Sequence, residues 1–461
     1  MGHRHRAETL LALALVWGLA LLAGTVFGTY WVAIATATLM WTALCIAWNV
    51  TGGVLGQVSF GNSVFFGIGA YLPTWLETAH DVPPTLGLLA GVVASAAAGY
   101  AMGYIPFRWN LGRLTFALLT LACAYAFEFT FSAIPAMGGT NGLFLKAHAT
   151  GFWDFGAHGR LWPAGILLVL VTAMLAAAHI LLNRRIGYFW RATHQNEVAA
   201  AASGIDLFRV RQAALLFTAA TTAIAGTIQS RYIGFIDPES VFGVGITLQI
   251  LLFTVVGGSG TVIGPVIGPL LLVPLGEALR LWFGSDNAAL QPAAFGALLI
   301  AVILLWPAGL AGLVRRLLPP ETPPGPAGRA VPVIARVGRL IETTGLTKRF
   351  GGVRALDDVG FHVDAAEIVG VIGPNGAGKT TLFATIAGSH RPTAGNVFIA
   401  GRDGTGLPPY RINRLGVART FQSAQIFPAL AVRDVVLTAA LAHAAPGLAT
   451  ARADAALADV G

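Results

Sequence analysis

Apolar runs long enough to cross a bilayer recur from the N-terminus to about residue 313 and then stop. A membrane-spanning helix needs roughly 20 apolar residues. The pattern predicts such helices at 9–27, 30–50, 58–76, 85–107, 114–134, 161–182, 212–232, 241–256, 261–283 and 290–313. The third is glycine-rich and the eighth is short. Residues 315–339 are rich in Pro and Gly and read as a linker. From residue 340 the apolar runs shorten and alternate with charged and glycine-rich turns. Residues 367–372 are a short apolar run and predict a buried parallel strand. Residues 381–387 read as a helix. The predicted fold is a polytopic α-helical membrane domain of about ten spans over 1–314, the linker, and a partial α/β domain over 340–461.

Charge follows the same division. Residues 1–339 hold 18 Lys+Arg and 12 Asp+Glu, whereas the much shorter stretch 340–461 holds 11 and 9. Only 11% of the chain is charged, against roughly 25% in soluble proteins. The net charge of +8 is scattered among membrane loops and forms no basic groove with aromatic residues, so nucleic acid is not an expected partner; membrane lipid is. With the N-terminus inside, Arg4, Arg6, Arg108, Arg113, Arg184, Arg185, Arg191, Arg209, Arg211, Arg315 and Arg316 fall in inner loops. Lys146 and Arg160 fall in the longest outer loop. This asymmetry places the N-terminus and residues 340–461 on the cytoplasmic side. Cys45 and Cys123 both lie inside apolar runs and read as small core residues rather than a disulfide or metal site. The first apolar run reads as an anchor rather than a cleaved signal, because further spans follow.

Residues 373–381 read GPNGAGKTT and fit the phosphate-binding pattern G-x-x-x-x-G-K-[ST] through Gly373, Gly378, Lys379 and Thr380. Glycines let successive backbone N–H groups turn toward phosphate oxygens, and the next helix adds its positive end. Asn375, Gly376 and Thr381 complete the nucleotide-binding set. Lys379 is placed to reach the β- and γ-phosphates, and the Thr380 hydroxyl can ligate Mg²⁺. The expected cofactors are ATP and Mg²⁺. A glycine-rich turn with a stray lysine is the plain alternative, and the strand–loop–helix context weighs against it.

Three membrane stretches are unusual. Residues 49–72 are dense in glycine and small polar residues. They fit either close helix packing or a broken helix lining a solute path, and sequence does not choose. Residues 138–142, GGTNG, read as a turn or an outer gate segment. The inner loop 183–211 contains an Ala-rich amphipathic stretch stopped by Gly204, expected as a short helix that either docks in a partner's groove or simply connects. Glu128 lies deep in a span, and a lone carboxylate supports no mechanism.

Taken together, LGQVSFGNSVFFGIGAY, MGGTNGL, NEVAAAASGI and IGFIDPES…VVGGSGTVIGPVIGP resemble the permease of branched-chain amino-acid ABC importers. LTKRFGGVRALDDV, the phosphate-loop region and GVARTFQSAQIFPALAVRDVV resemble the partner ATPase. The resemblance makes 1–314 a permease domain and 340–461 the N-terminal half of an ATP-binding domain. It implies that Phe350 faces the adenine ring, with a strand-end core residue as the alternative. It implies that Gln422 touches Mg²⁺ and the attacking water, which makes it the expected catalytic residue. It implies that Glu197, Ala200 and Gly204 belong to a coupling loop, although Ala201 stands where the family tends to have a second acidic residue.

The implied activity is ATP-driven import of branched-chain amino acids across the bacterial inner membrane. The implied partners are a second permease subunit, identical or homologous, a second ATPase subunit and a periplasmic substrate-binding protein. Urea, short amides or other amino acids are alternative solutes. The family's signature motif, Walker B strand, catalytic Glu and switch His are not found in residues 340–461, so one edge of the sheet is expected open and hydrolysis by this stretch alone is not expected. A non-hydrolysing, membrane-anchored nucleotide-binding module is the alternative from another class.

Overall fold

In a computed structural model of the chain, residues 2–25, 28–145, 151–153, 155, 159, 161–283, 290–317, 338–421 and 426–460 are described. Most of the predicted linker, the outer-loop cations Lys146 and Arg160, and Gln422 lie outside the described residues. The chain divides into two compact units. The first holds residues 1–190 and 208–322, the second 191–207 and 323–461.

The first unit is helical. Its elements are α1 (Gly2–Thr25), α2 (Thr29–Asn49), α3 (Asn62–His80), α4 (Pro84–Arg108), α5 (Arg113–Ala133), β1 (Leu143–Phe144) and α6 (Leu161–Asn183). The chain then passes through α7 (Arg185–Gln195) and α8 (Glu197–Ala202) into α9 (Leu207–Ile233). It continues as β2 (Phe235–Ile236), α10 (Pro238–Phe242), α11 (Val244–Gly257), α12 (Gly264–Phe283), α13 (Leu290–Leu305) and α14 (Leu310–Leu317).

Among the described residues, eight helices are long and apolar enough to cross a membrane, or up to nine if a bent pair is one span. About ten were expected. The helix α3 does not qualify, because Asn62, Ser63, Thr74 and Glu77 dilute its apolar content; these residues are all buried in the unit instead. The predicted span 290–313 is broken: the segments 293–305 and 310–317 meet at 44°, with Pro307 in the break. Proline lacks the N–H a continuous helix needs and clashes with the preceding turn.

The glycine-rich stretch 49–72 is both broken and closely packed. The helix α2 ends in a π-helical turn over Val50–Val54, and residues 55–61 are irregular. Asn49 fastens that turn: its Nδ2 donates to the Thr261 carbonyl and its Oδ1 accepts from the Gly260 N–H, both at 2.8 Å. Further on, glycine permits contact between α3 and α9. A Cβ on Gly69 would lie 2.2 Å from the Ala223 carbonyl oxygen, and one on Gly226 would lie 2.2 Å from the Phe66 carbonyl oxygen. Thr227 Oγ1 donates to the Gly69 carbonyl at 2.6 Å across the same contact. The GGTNG segment folds as tight turns and leads into β1, which pairs antiparallel with β2.

The second unit carries a four-stranded antiparallel sheet in the order β4-β3-β5-β6. Its strands are β3 (Arg339–Phe350), β4 (Val353–Asp364), β5 (Ala394–Ile399) and β6 (Arg402–Asp403). A Gly351–Gly352 turn joins β3 to β4, as a two-residue hairpin favours. The helices are α15 (Lys379–Ile386), α16 (Pro409–Arg414), α17 (Val432–His443) and α18 (Pro446–Val460). Leu346, Leu356, Leu382, Ile386, Val397, Ile399 and Ile412 form the core between sheet and helices.

The predicted buried strand over 367–372 is not there. These residues pair with no strand among those described, and Ile368 and Ile372 are 99% and 95% exposed. A parallel strand needs a neighbour to receive its hydrogen bonds and a layer to cover its apolar faces. The sheet formed here is antiparallel and closes on β3 to β6 without it.

Candidate functional site

The phosphate loop follows the run 367–372 and leads into α15, whose first residues are Lys379, Thr380 and Thr381. Gly376 and Gly378 hold φ of +88° and +86°, left-handed values that L side chains rarely adopt. Gly378 is the N-cap of α15, and a Cβ there would lie 2.3 Å from the Ala355 carbonyl oxygen. The loop thus lies directly against β4. Gly373, Asn375, Gly376 and Thr380 are exposed, while Lys379 and Thr381 are half-buried. Lys379 Nζ donates to the Gly373 and Pro374 carbonyls at 2.7 Å each, which curls the loop around the ammonium group. Leu382, on the inner face of α15, is buried in the core and anchors the helix whose N-terminus faces the loop.

This arrangement fits a nucleotide's phosphates: flexible glycines, one ammonium group and a helix N-terminus converge on exposed backbone. No group of three or more His, Cys, Asp or Glu able to hold a metal occurs among the described residues. A magnesium ion at this loop would rest on the Thr380 hydroxyl and on the nucleotide itself.

Phe350 ends β3 and is 45% exposed, so it is not a strand-end core residue. Lys348 Nζ lies 4.8 Å from its ring centroid, and the His390 ring meets it edge-on at 5.3 Å. Part of the ring remains open to stack on a flat partner.

The candidate coupling loop belongs to the second unit. Asn196 caps α8 by accepting from the Ala199 N–H at 3.0 Å, and Glu197 supplies a negative charge to the first turn. Ala200 is wholly buried, and Gly204 stops the helix with φ of +89°. Arg414 Nη2 donates to the Gly204 carbonyl at 3.3 Å, and Gln195 Oε1 accepts from the Ala429 N–H at 2.8 Å. Asn413 bonds His443 at 2.6 Å beside the same glycine. The structure therefore brings Ala200 and Gly204 together with α16 and α17. Asn413, Arg414 and Gln195 were not anticipated, because nothing local in the sequence marks a pairing across more than two hundred residues.

Two buried ion pairs were also missed. Arg315 Nε donates to Glu8 Oε1 at 2.7 Å, and Glu8 is wholly buried. Glu77 pairs with Arg231, each almost fully buried. The second pair had a readable signal. The expected spans 58–76 and 212–232 both end at the outer side, which puts a carboxylate and a guanidinium at one level. Glu128, in contrast, is only half-buried. Cys45 is buried and Cys123 half-buried, and both are free thiols.

The family described as branched-chain amino acid transport system / permease component matches residues 30–306, and the ABC transporter family matches residues 356–461. The high-affinity branched-chain amino acid transport ATP-binding protein BraF of Pseudomonas aeruginosa is 41% identical over 104 residues, covering 23% of this chain and 41% of the relative. The LivM permease protein of the Escherichia coli K12 high-affinity branched-chain amino acid transport system is 27% identical over 334 residues, covering 66% of this chain and 74% of LivM. A solved nucleotide-free ATP-binding cassette from an ABC transporter is 30% identical over 24% of this chain and 44% of that one, at a TM-score of 0.21. The chain spans about two fifths of the length of the ATP-binding relatives it matches. It is a multi-pass membrane protein with an ABC-type domain behind its apolar helices, and it belongs to the branched-chain amino acid transport system permease family.

Proposed function

We propose that the chain combines the membrane pathway and one nucleotide grip of an ATP-driven importer of branched-chain amino acids. The observation that carries this reading is the packing of residues 191–207 with residues 323–461 in one compact unit. The loop that interrupts the membrane helices is bonded to the part that holds the phosphate loop, through Gly204–Arg414 and Gln195–Ala429. The chain then runs without interruption from that loop into α9. Movement of α16 and α17 on nucleotide binding would act on α8, and through it on the start of a spanning helix.

In this reading the backbone N–H groups of 375–378, Lys379 and Thr380 would bind the triphosphate, Asn375 and Thr381 would support the loop, and Phe350 would stack on the base. Thr380 and Gln422 would hold Mg²⁺, and Gln422 would orient the attacking water. MgATP, when bound, supplies the free energy of phosphoryl transfer. Residues 340–461 are not expected to hydrolyse ATP by themselves, because no water-activating carboxylate is assigned among them. A second permease subunit, a second ATPase subunit and a periplasmic binding protein complete the transporter. The scatter of arginines supports an inner-membrane location with the N-terminus and the phosphate loop in the cytoplasm.

The solute assignment rests on the names of the relatives, and competition tests it. Proteoliposomes holding the assembled transporter are given labelled L-leucine and an excess of unlabelled isoleucine, valine, urea or acetamide. Suppression by isoleucine and valine alone is expected. Suppression by urea or acetamide, with none by isoleucine, contradicts the assignment.

A further inference from the structure

The N-terminus of α3 lies inside the membrane unit, behind the π-helical turn Val50–Val54 and the irregular residues 55–61. Non-helical backbone at membrane depth is tolerated where it is buried in protein or lines a polar path. Here it meets polar side chains from neighbouring helices. The Phe60 N–H donates to Thr120 Oγ1 of α5 at 3.0 Å, and the Ser63 N–H donates to Thr247 Oγ1 of α11 at 3.0 Å.

The first two residues of α3 are polar and fully enclosed. Asn62 and Ser63 are both 0% exposed. Asn62 Nδ2, Asn62 Oδ1 and Ser63 Oγ have no hydrogen-bond partner among the described residues. An unsatisfied buried polar group costs about 1–3 kcal/mol. Apolar residues of similar size would avoid that cost, so the pair is explained by a polar guest that these atoms meet. The helix end carries a partial positive charge, which favours an anionic group. Asn62 Nδ2 and the Ser63 hydroxyl are donors, and Asn62 Oδ1 is an acceptor on the same amide group. A carboxylate with an adjacent ammonium group matches that set. Both residues are closed over here, so a solute reaches them only when the surrounding helices part.

We propose that Asn62 and Ser63, at the N-terminus of α3, bind the α-carboxylate of the transported solute within the membrane. The proposal deepens the importer reading above and rests on it for the solute class. The donors grip the carboxylate, the Asn62 carbonyl accepts from the ammonium group, and the break at 50–61 lets the helix end face the path.

Binding of tritiated L-leucine to the assembled, detergent-purified transporter tests it, with unlabelled L-leucine and L-leucinamide as competitors. Leucinamide replaces the carboxylate by a neutral amide. On wild type it should compete at least about tenfold more weakly, the scale of one charge-assisted hydrogen bond. Asn62→Asp sets a second negative charge at the site, so leucine affinity should fall about tenfold or more while the gap between the two competitors closes. Ser63→Ala removes one donor with little risk to folding and should weaken leucine about threefold to tenfold, with a smaller change for leucinamide.

Wild-type leucine affinity in both variants, or an equal loss for both competitors, overturns the site. In either case leucine uptake by the wild-type transporter leaves the importer reading intact. Absence of ATP-driven uptake of any branched-chain amino acid by the wild type overturns that reading, and this site with it.

Discussion

Arg414 holds the carbonyl of Gly204, donating through Nη2 at 3.3 Å just where α8 stops. Gly204 cannot be exchanged there. Its φ is +89°, and a Cβ would lie 2.8 Å from Asn413 Oδ1 and 3.3 Å from the Ala442 Cβ. Gly204→Val should cost about 1–3 kcal/mol of local packing through backbone strain alone. Ala200→Trp should act at the same place, since Ala200 has no exposed surface to grow into. Both variants should insert normally in the membrane while leucine-stimulated ATP turnover of the assembled transporter falls. Turnover at the wild-type level in both would reduce the loop to a connector.

The pair Glu8–Arg315 predicts a non-additive pattern. Glu8 is wholly buried and also accepts from the Val262 N–H at 3.3 Å. Arg315→Leu strands that carboxylate and should destabilise the membrane unit by about 3 kcal/mol, the low end for a buried pair because Arg315 keeps some exposure. Glu8→Leu combined with Arg315→Leu should recover part of the loss. Melting curves in detergent for the two single variants and the double variant read the pattern. Simple additivity would mean that the pair is not coupled.

Glycine-to-alanine exchange separates contact from composition. Gly69→Ala drives a methyl into the Ala223 backbone of α9, and neither backbone can yield without moving a helix. A loss of about 1–3 kcal/mol is expected. Gly165→Ala, in α6, meets nothing within 4 Å and should leave stability unchanged or raise it by about 0.5–1 kcal/mol through helix propensity. Equal melting shifts for the two would contradict the α3–α9 contact.

The readable part of the molecule was its periodicity and its local motifs. Nearly every apolar run became a helix, because twenty apolar residues in lipid have no other way to satisfy their backbone. The phosphate loop was legible because its glycines and Lys379 lie side by side in the chain. Two things were not. The burial of the polar residues of α3 was one, since they are spaced along one helix and are covered by other elements of the chain. The run 367–372 passed for a buried strand, since apolar content signals a wish for burial and says nothing of which neighbour provides it. The docking of Gly204 beside Asn413 and Arg414 lay beyond reach for the same reason.

If nucleotide held at the phosphate loop drives solute through the membrane unit, transport depends on Lys379. The measurement is uptake of labelled L-leucine into proteoliposomes holding the assembled transporter, with ATP supplied on the phosphate-loop side. Lys379→Ala removes the one ammonium group that the loop curls around. ATP-dependent uptake is expected of the wild type, and its loss in Lys379→Ala, with the variant inserted and assembled as before. Uptake by Lys379→Ala at the wild-type rate would contradict that dependence.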